Sequence, residues 1–127
     1  ALMQTAAARG KLMEFIAIED RPHDKNHQDR AFMVGVLSLL DALFGIEMSK
    51  IVETLSIQED MRQALLRHHG YLGRQLALVE ANETGEIDKI LTIITELGYL
   101  SMNQFTQMQL EALAWANRIG ETAGNSK

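Results

Sequence analysis

Apolar residues recur along the chain at three- and four-residue spacing, interrupted by short polar or glycine-bearing stretches. That period is the signature of amphipathic helices, and no segment alternates with the period of two that a strand needs. A first helix is predicted over 2–18, where Met3, Ala6, Ala7, Leu12, Met13, Phe15 and Ile16 approximate a stripe. Gln4, Arg9, Lys11 and Glu14 fall outside it. Gly10 inside this helix costs roughly 1 kcal/mol relative to Ala and marks a place for a close helix crossing. The polar EDRPHDKNHQ that follows, with the only proline, reads as a loop, and Asp29 as the N-cap of the next helix. AFMVGVLSLLDALFG, residues 31–45, is apolar on nearly every side and predicts a central helix. Its exceptions, Gly35, Ser38 and Asp41, share one strip. The first two admit a neighbouring helix at short range, whereas Asp41 is a lone acid.

Gly45 is placed to end that helix. A short helix is expected over 48–55. SIQE (56–59) then reads as a capping box opening a helix that runs to His68 or His69 and stops at Gly70. Further helices are expected over 71–82 and 86–97, separated by ETGE, the second closed by Gly98; the β-branched density of the second admits a strand, but its spacing fits a helix better. A second capping box, SMNQ (101–104), opens a last helix to about residue 119, with Phe105, Met108, Leu110, Leu113 and Trp115 as its apolar contributors. GETAGNSK is a polar tail. No repeat or long linker divides the chain. The expectation is all-α: a compact bundle of about six to seven helices over 1–120, with a tail at 121–127, organised around 31–45. A charge placed at Leu39 or Leu40 should then abolish folding.

Composition changes this picture little. The 127 residues suffice for one core, and 46% hydrophobic content is ordinary globular usage. A net charge of −5 without a basic cluster argues against nucleic-acid binding. The lack of cysteine removes disulfides, thiolate catalysis and Cys-based zinc sites, and fits a reducing, cytoplasmic setting. No apolar run reaches the ~20 residues that span a bilayer. A chain that starts on Ala and enters a helical pattern directly reads as a piece of a longer protein.

Candidate chemistry is sparse. His23-Asp24, with His27 four residues after His23, has the residue types of a divalent-metal site, but it lies in a charged loop beside Pro22 where no regular face is guaranteed. His68-His69 at a helix end makes a poor chelate, and the helix dipole explains one of the pair. Asp41 would be an acid or base if unpaired; burial more often pairs such a group, and Arg9, Lys11 and Arg74 are its candidate partners. GYLG (70–73) lacks the strand and Lys of a phosphate loop and reads as a helix–helix corner. The methionines read as gap fillers, and Trp115 as core or rim.

ARGKLMEFIA, AFMVGVLSLLDALFG, SIQEDMRQALL, HHGYLGRQLALVEANE and LEALAWANRI together resemble the HDOD domain, and more narrowly its C-terminal part in bacterial two-domain EAL–HDOD signalling proteins. The resemblance runs over 8–119, with 31–45 its most specific part. It implies an all-helical fold related to the HD phosphohydrolases that generally lacks their metal-binding His and Asp set. It implies a regulatory or protein-interaction module of a cyclic di-GMP phosphodiesterase-class protein, and gives no catalytic residue to carry over. HD enzymes hold their His-Asp pair on a helix, whereas here the dipeptide falls in the polar loop. The expectation is therefore a non-enzymatic cytoplasmic module with no catalytic, cofactor or metal residue. Its partner would be another protein or an N-terminal EAL-type domain, neither nucleic acid nor membrane, and homodimerisation is open. A truncated metal-dependent phosphohydrolase using His23, Asp24, His27 or the His68-His69 pair is the alternative, and a dimerisation domain a further one.

Overall fold

A computed structural model describes residues 2–125, with side chains over 3–120. The order is α1 (Leu2–Asp20), α2 (Lys25–Leu37), α3 (Leu40–Phe44), α4 (Met48–Thr54), α5 (Glu59–Arg67), α6 (Gly70–Glu83), α7 (Ile87–Leu97) and α8 (Met102–Asn125). The described residues contain no strand. Since α3 and α4 are only 5 and 7 residues long, six substantial helices carry the all-α bundle that the periodicity predicts. The polar tail at 121–127 lies outside the residues whose side chains are described; the backbone of α8 is helical to Asn125. No single helix among the described residues is long and apolar enough to cross a membrane.

The helix buried on most sides is α6. Leu72, Gly73, Gln75, Leu76, Ala77, Leu78, Val79 and Ala81 are all buried, and α1, α2, α5 and α7 pack against it. A helix surrounded in this way needs apolar residues beyond one stripe, which LALV supplies. α1 packs on α2, α6 and α8, and Met13, Ile16, Val34, Ile90, Ile93 and Phe105 fill the space between the helices.

The 31–45 stretch behaves differently from the single central helix expected. α2 begins earlier, at Lys25, because Asp24 caps it by accepting the His27 backbone N–H at 3.0 Å. Asp29 instead faces solvent and pairs with Lys25. α2 stops at Leu37, where the Ser38 hydroxyl turns back onto the Gly35 carbonyl at 2.7 Å. Ala31, Val34, Gly35 and Leu37 are buried, but α3 beyond the break buries none of its residues. An apolar run does not distinguish a core helix from an apolar surface, and this run is half of each. Leu39 and Leu40 are accordingly half-buried, so the charge test belongs at Val34, which is fully buried.

Gly10 and Gly35 do mark a close crossing of α1 and α2. A Cβ on Gly35 would lie 2.6 Å from the Gly10 Cα and 2.8 Å from the Arg9 carbonyl oxygen. The SMNQ capping box forms as read: Ser101 Oγ accepts the Gln104 N–H at 3.1 Å, and Gln104 Oε1 accepts the Ser101 N–H at 2.8 Å. SIQE does not. Ile57 is drawn against the core and its N–H bonds the Leu55 carbonyl, so the chain enters α5 two residues later, with Gln58 at the cap and no side-chain bond. GYLG is the α5–α6 corner, with Gly73 pressed on the backbone of His68. The residue that ends α5 in a left-handed conformation is His68 (φ 56°), ahead of Gly70.

Candidate functional site

The structure disperses the histidine candidates. His23 is exposed on the α1–α2 turn, and Asp24 is used as the α2 cap. His27, the third residue of α2, is turned into the protein at 2% exposure, with Nε2 3.2 Å from Asp20 Oδ2. His68 Nε2 meets Glu80 Oε1 at 2.6 Å, whereas His69 lines a separate cavity that His27 also borders. Among the described residues, no three His, Asp or Glu side chains are grouped so as to hold a metal ion. Asp41 bonds the N–H of Ala42 in the first turn of α3 and meets none of its expected partners. Lys11 pairs with Glu14 and lies 5.0 Å from the Trp115 ring centroid, and Arg74 pairs with Glu96. Trp115, half-buried, stands edge-on to Phe32 at 5.9 Å.

Two polar nodes are built into the bundle instead. The first is centred on Arg9 of α1, only 7% exposed. Its Nε donates to Glu83 Oε2 at 2.9 Å and its Nη2 to the other oxygen of the same carboxylate, the bidentate arrangement a guanidinium fork favours. Nη1 reaches Ser38 Oγ at 2.8 Å and, more loosely, Glu80 at 3.5 Å. Through Glu80 the node extends to His68. One buried cation thus ties α1 to the end of α2 and to two turns of α6. It borders a cavity of about 330 Å³ between α1, α6 and α8, whose floor includes Leu12, Val79 and Ala112 and whose rim carries Asn82, Gln109 and Asn117. Because two carboxylates already face the guanidinium, little positive charge is left for an anionic ligand. The sequence pattern set Arg9 outside the apolar stripe; the acid pair Glu80/Glu83, three residues apart on α6, was the signal for a buried cation opposite.

The second node joins α1, α2, α6 and the α7–α8 turn. Asp20 Oδ2 takes His27 Nε2, and Gln75, fully buried, donates from Nε2 to the Tyr99 hydroxyl at 3.0 Å, with Asp20 Oδ2 farther away at 3.5 Å. Gln28 Nε2 closes the turn below by donating to the carbonyls of Arg21 (2.9 Å) and Pro22 (3.2 Å). Burial pushes the His27 pKa below its ordinary 6.5, helped by Arg21, and outweighs the opposing pull of Asp20. His27 is therefore neutral at pH 7. Burial likewise raises the Tyr99 hydroxyl to about 12. A neutral imidazole oriented by a carboxylate has the form of a general base, but the ring's hydrogen-bond partner among the described residues is Asp20, with no hydroxyl nucleophile against it.

A third feature is apolar. Met3, Ala6 and Ala7 of α1, Phe32 and Val36 of α2, and Leu39, Leu40 and Leu43 enclose a groove of about 150 Å³. Beyond it Phe44 is 62% exposed and Ile46 44%.

No family model matches the chain, and no solved structure matches it. Over 97 residues, 76% of its length, it is 33% identical to cyclic di-GMP phosphodiesterase CdgJ of Vibrio cholerae serotype O1, of which that stretch is 22%. Over 120 residues, 93% of its length, it is 29% identical to uncharacterized protein YuxH of Bacillus subtilis, covering 27% of it. The chain is thus similar to part of a cyclic di-GMP signalling protein. It spans about a quarter or less of CdgJ and 27% of YuxH.

Proposed function

We propose that the chain is a non-catalytic HDOD-type module of a cyclic di-GMP signalling protein, acting in the cytoplasm by contact with another part of that protein, an EAL-type domain. The observation that carries this reading is the 33% identity with a stretch that makes up only 22% of a phosphodiesterase. Most of such a protein lies beyond this segment and has room for the catalytic machinery. The side chains support a contact role over a catalytic one. The buried ionisable groups are spent on joining helices to one another: Arg9 to Glu83, and His27 to Asp20. The apolar groove against α3, with Phe44 and Ile46 beside it, is the kind of surface that a folded neighbour covers. An EAL-type domain is the neighbour that the HDOD resemblance implies.

The test uses CdgJ with and without the 97 residues that match this chain. We expect the shortened protein to keep cyclic di-GMP hydrolysis at an altered rate, since the chemistry resides elsewhere and only its control is lost. A turnover rate identical with and without the segment would refute a regulatory role. Hydrolysis by the isolated segment would refute the non-catalytic one.

A further inference from the structure

We propose that the α1–α2 joint is a proton-operated latch, in which neutral His27 holds the first turns of α2 against the end of α1 and protonation of its ring releases them. Asp20, 3.2 Å from Nε2, would welcome a protonated ring, and burial with positive charge on several sides opposes it. His27 is 2% exposed and stands in the first turn of α2, at the positive end of the helix dipole, where a cation is disfavoured. Arg21 at the end of α1 and Arg30 one helical turn farther along α2 both oppose a positive ring.

The surrounding carboxylates are largely engaged elsewhere. Asp24 accepts the His27 backbone N–H and lies 3.9 Å from Arg21. On α5, Asp60 pairs with Arg30 at 2.9 Å, and Glu59 accepts from Gln63 at 2.7 Å. From α6, Gln75, bonded to Tyr99, approaches the same Asp20 oxygen at 3.5 Å, while Tyr71 and His69 line the cavity that His27 borders, Tyr71 lying under the Arg21 guanidinium. That leaves Asp20, which Arg21 also approaches at 3.9 Å.

Two further observations make the joint easy to open. Gln75 Oε1 is buried without a hydrogen-bond partner, so the node makes fewer bonds than its buried polar groups allow. A cavity of about 420 Å³, bordered by Arg21, His69 and Tyr71, also borders His27, so the buried residue adjoins open space. The sign follows from linkage. The folded pKa of His27 lies below 6.5, so the opened form binds the proton more tightly than the closed one. The closed joint has its full stability above pH 6.5 and loses it as pH falls below that value.

Amide hydrogen exchange of the whole 127-residue chain, followed by NMR from pH 7.5 to 5.0, tests the latch. Protection factors, corrected for intrinsic exchange, should fall for residues 28–31 by up to about tenfold per pH unit below 6.5, one proton being taken up per opening. Those of Phe105 and Met108 in α8 should hold. His27→Gln, which keeps an N–H donor for Asp20 and cannot titrate, should remove the pH dependence. Flat protection of 28–31 across this range, or the same loss in His27→Gln, would overturn the proposal. Should His27→Gln not fold, the imidazole resonances of the unsubstituted chain decide. A midpoint below 6.5 that coincides with loss of protection supports the latch, and titration at or above 6.5 with the joint closed refutes it.

Discussion

Gly35→Ala is the sharpest probe of how α1 and α2 fit together. The new methyl group would lie 2.6 Å from the Gly10 Cα, 2.8 Å from the Gly10 nitrogen and 2.8 Å from the Arg9 carbonyl oxygen. All three are backbone atoms of α1, so relief requires the helices to separate rather than a side chain to turn. Overpacking of this kind typically costs 1–3 kcal/mol, and a contact with fixed backbone belongs at the top of that range. The better helix propensity of Ala returns about 1 kcal/mol. The net loss should be about 2 kcal/mol, which for a domain of this size lowers the melting temperature by roughly 8 °C. Gly10→Ala is the internal control. Its Cβ would meet the Val36 Cγ2 at 2.8 Å and no backbone atom nearer than the Phe32 carbonyl oxygen at 3.0 Å, so less of the strain falls on fixed backbone. There, strain and propensity should nearly cancel, to within about 1 kcal/mol. Urea and thermal melts followed by circular dichroism measure both. A Gly35→Ala protein as stable as the unsubstituted chain, or less affected than Gly10→Ala, would show that the crossing is not set by these two glycines.

Other substitutions test the remaining elements. Arg9→Ala should cost about 3 kcal/mol in a urea melt because it strands the Glu83 carboxylate and the Ser38 hydroxyl, Glu80 keeping its bond to His68, whereas Arg74→Ala, which breaks the exposed pair with Glu96, should stay within about 1 kcal/mol. Similar losses for the two would remove Arg9 from its central role. Val34→Asp should abolish the cooperative melt, while Leu40→Asp, at a half-buried position in a helix with no buried residue, should leave a folded protein. Ser101→Ala should lose about 1 kcal/mol with its cap, and Ser56→Ala close to nothing, since α5 starts beyond it. Equal effects at the two serines would mean that α5 is capped by SIQE after all.

Much of the fold was legible because it is written in local chemistry. The period of α7, the SMNQ box, the left-handed stops at Gly45 and Gly98, and the small residues Gly10 and Gly35, each read separately as a place of close approach, act over a few residues or state their own geometry. What stayed hidden depends on partners distant in sequence. Leu39, Leu40 and Phe44 read like core residues because an apolar run carries no record of whether anything covers it. Arg9 sat off the apolar stripe of its helix, and its burial is decided by Glu80 and Glu83 some seventy residues later. His27 was grouped with His23 by spacing, but Asp24 capping α2 turned the two rings to opposite environments, one exposed and one buried against Asp20. The second polar node escaped notice for the same reason: Gln75 and Tyr99 are unremarkable in sequence and meet only in the packed bundle.

The claim that this segment contacts rather than catalyses is tested most directly by assaying the purified chain with manganese, iron or nickel. The readouts are retained metal after gel filtration and turnover of cyclic di-GMP and of bis(p-nitrophenyl) phosphate, with His27→Ala alongside. We expect metal well below stoichiometry and no turnover of either diester. Stoichiometric metal that survives filtration, with hydrolysis that disappears in His27→Ala, would contradict the contact role and make the Asp20–His27 pair part of an active site.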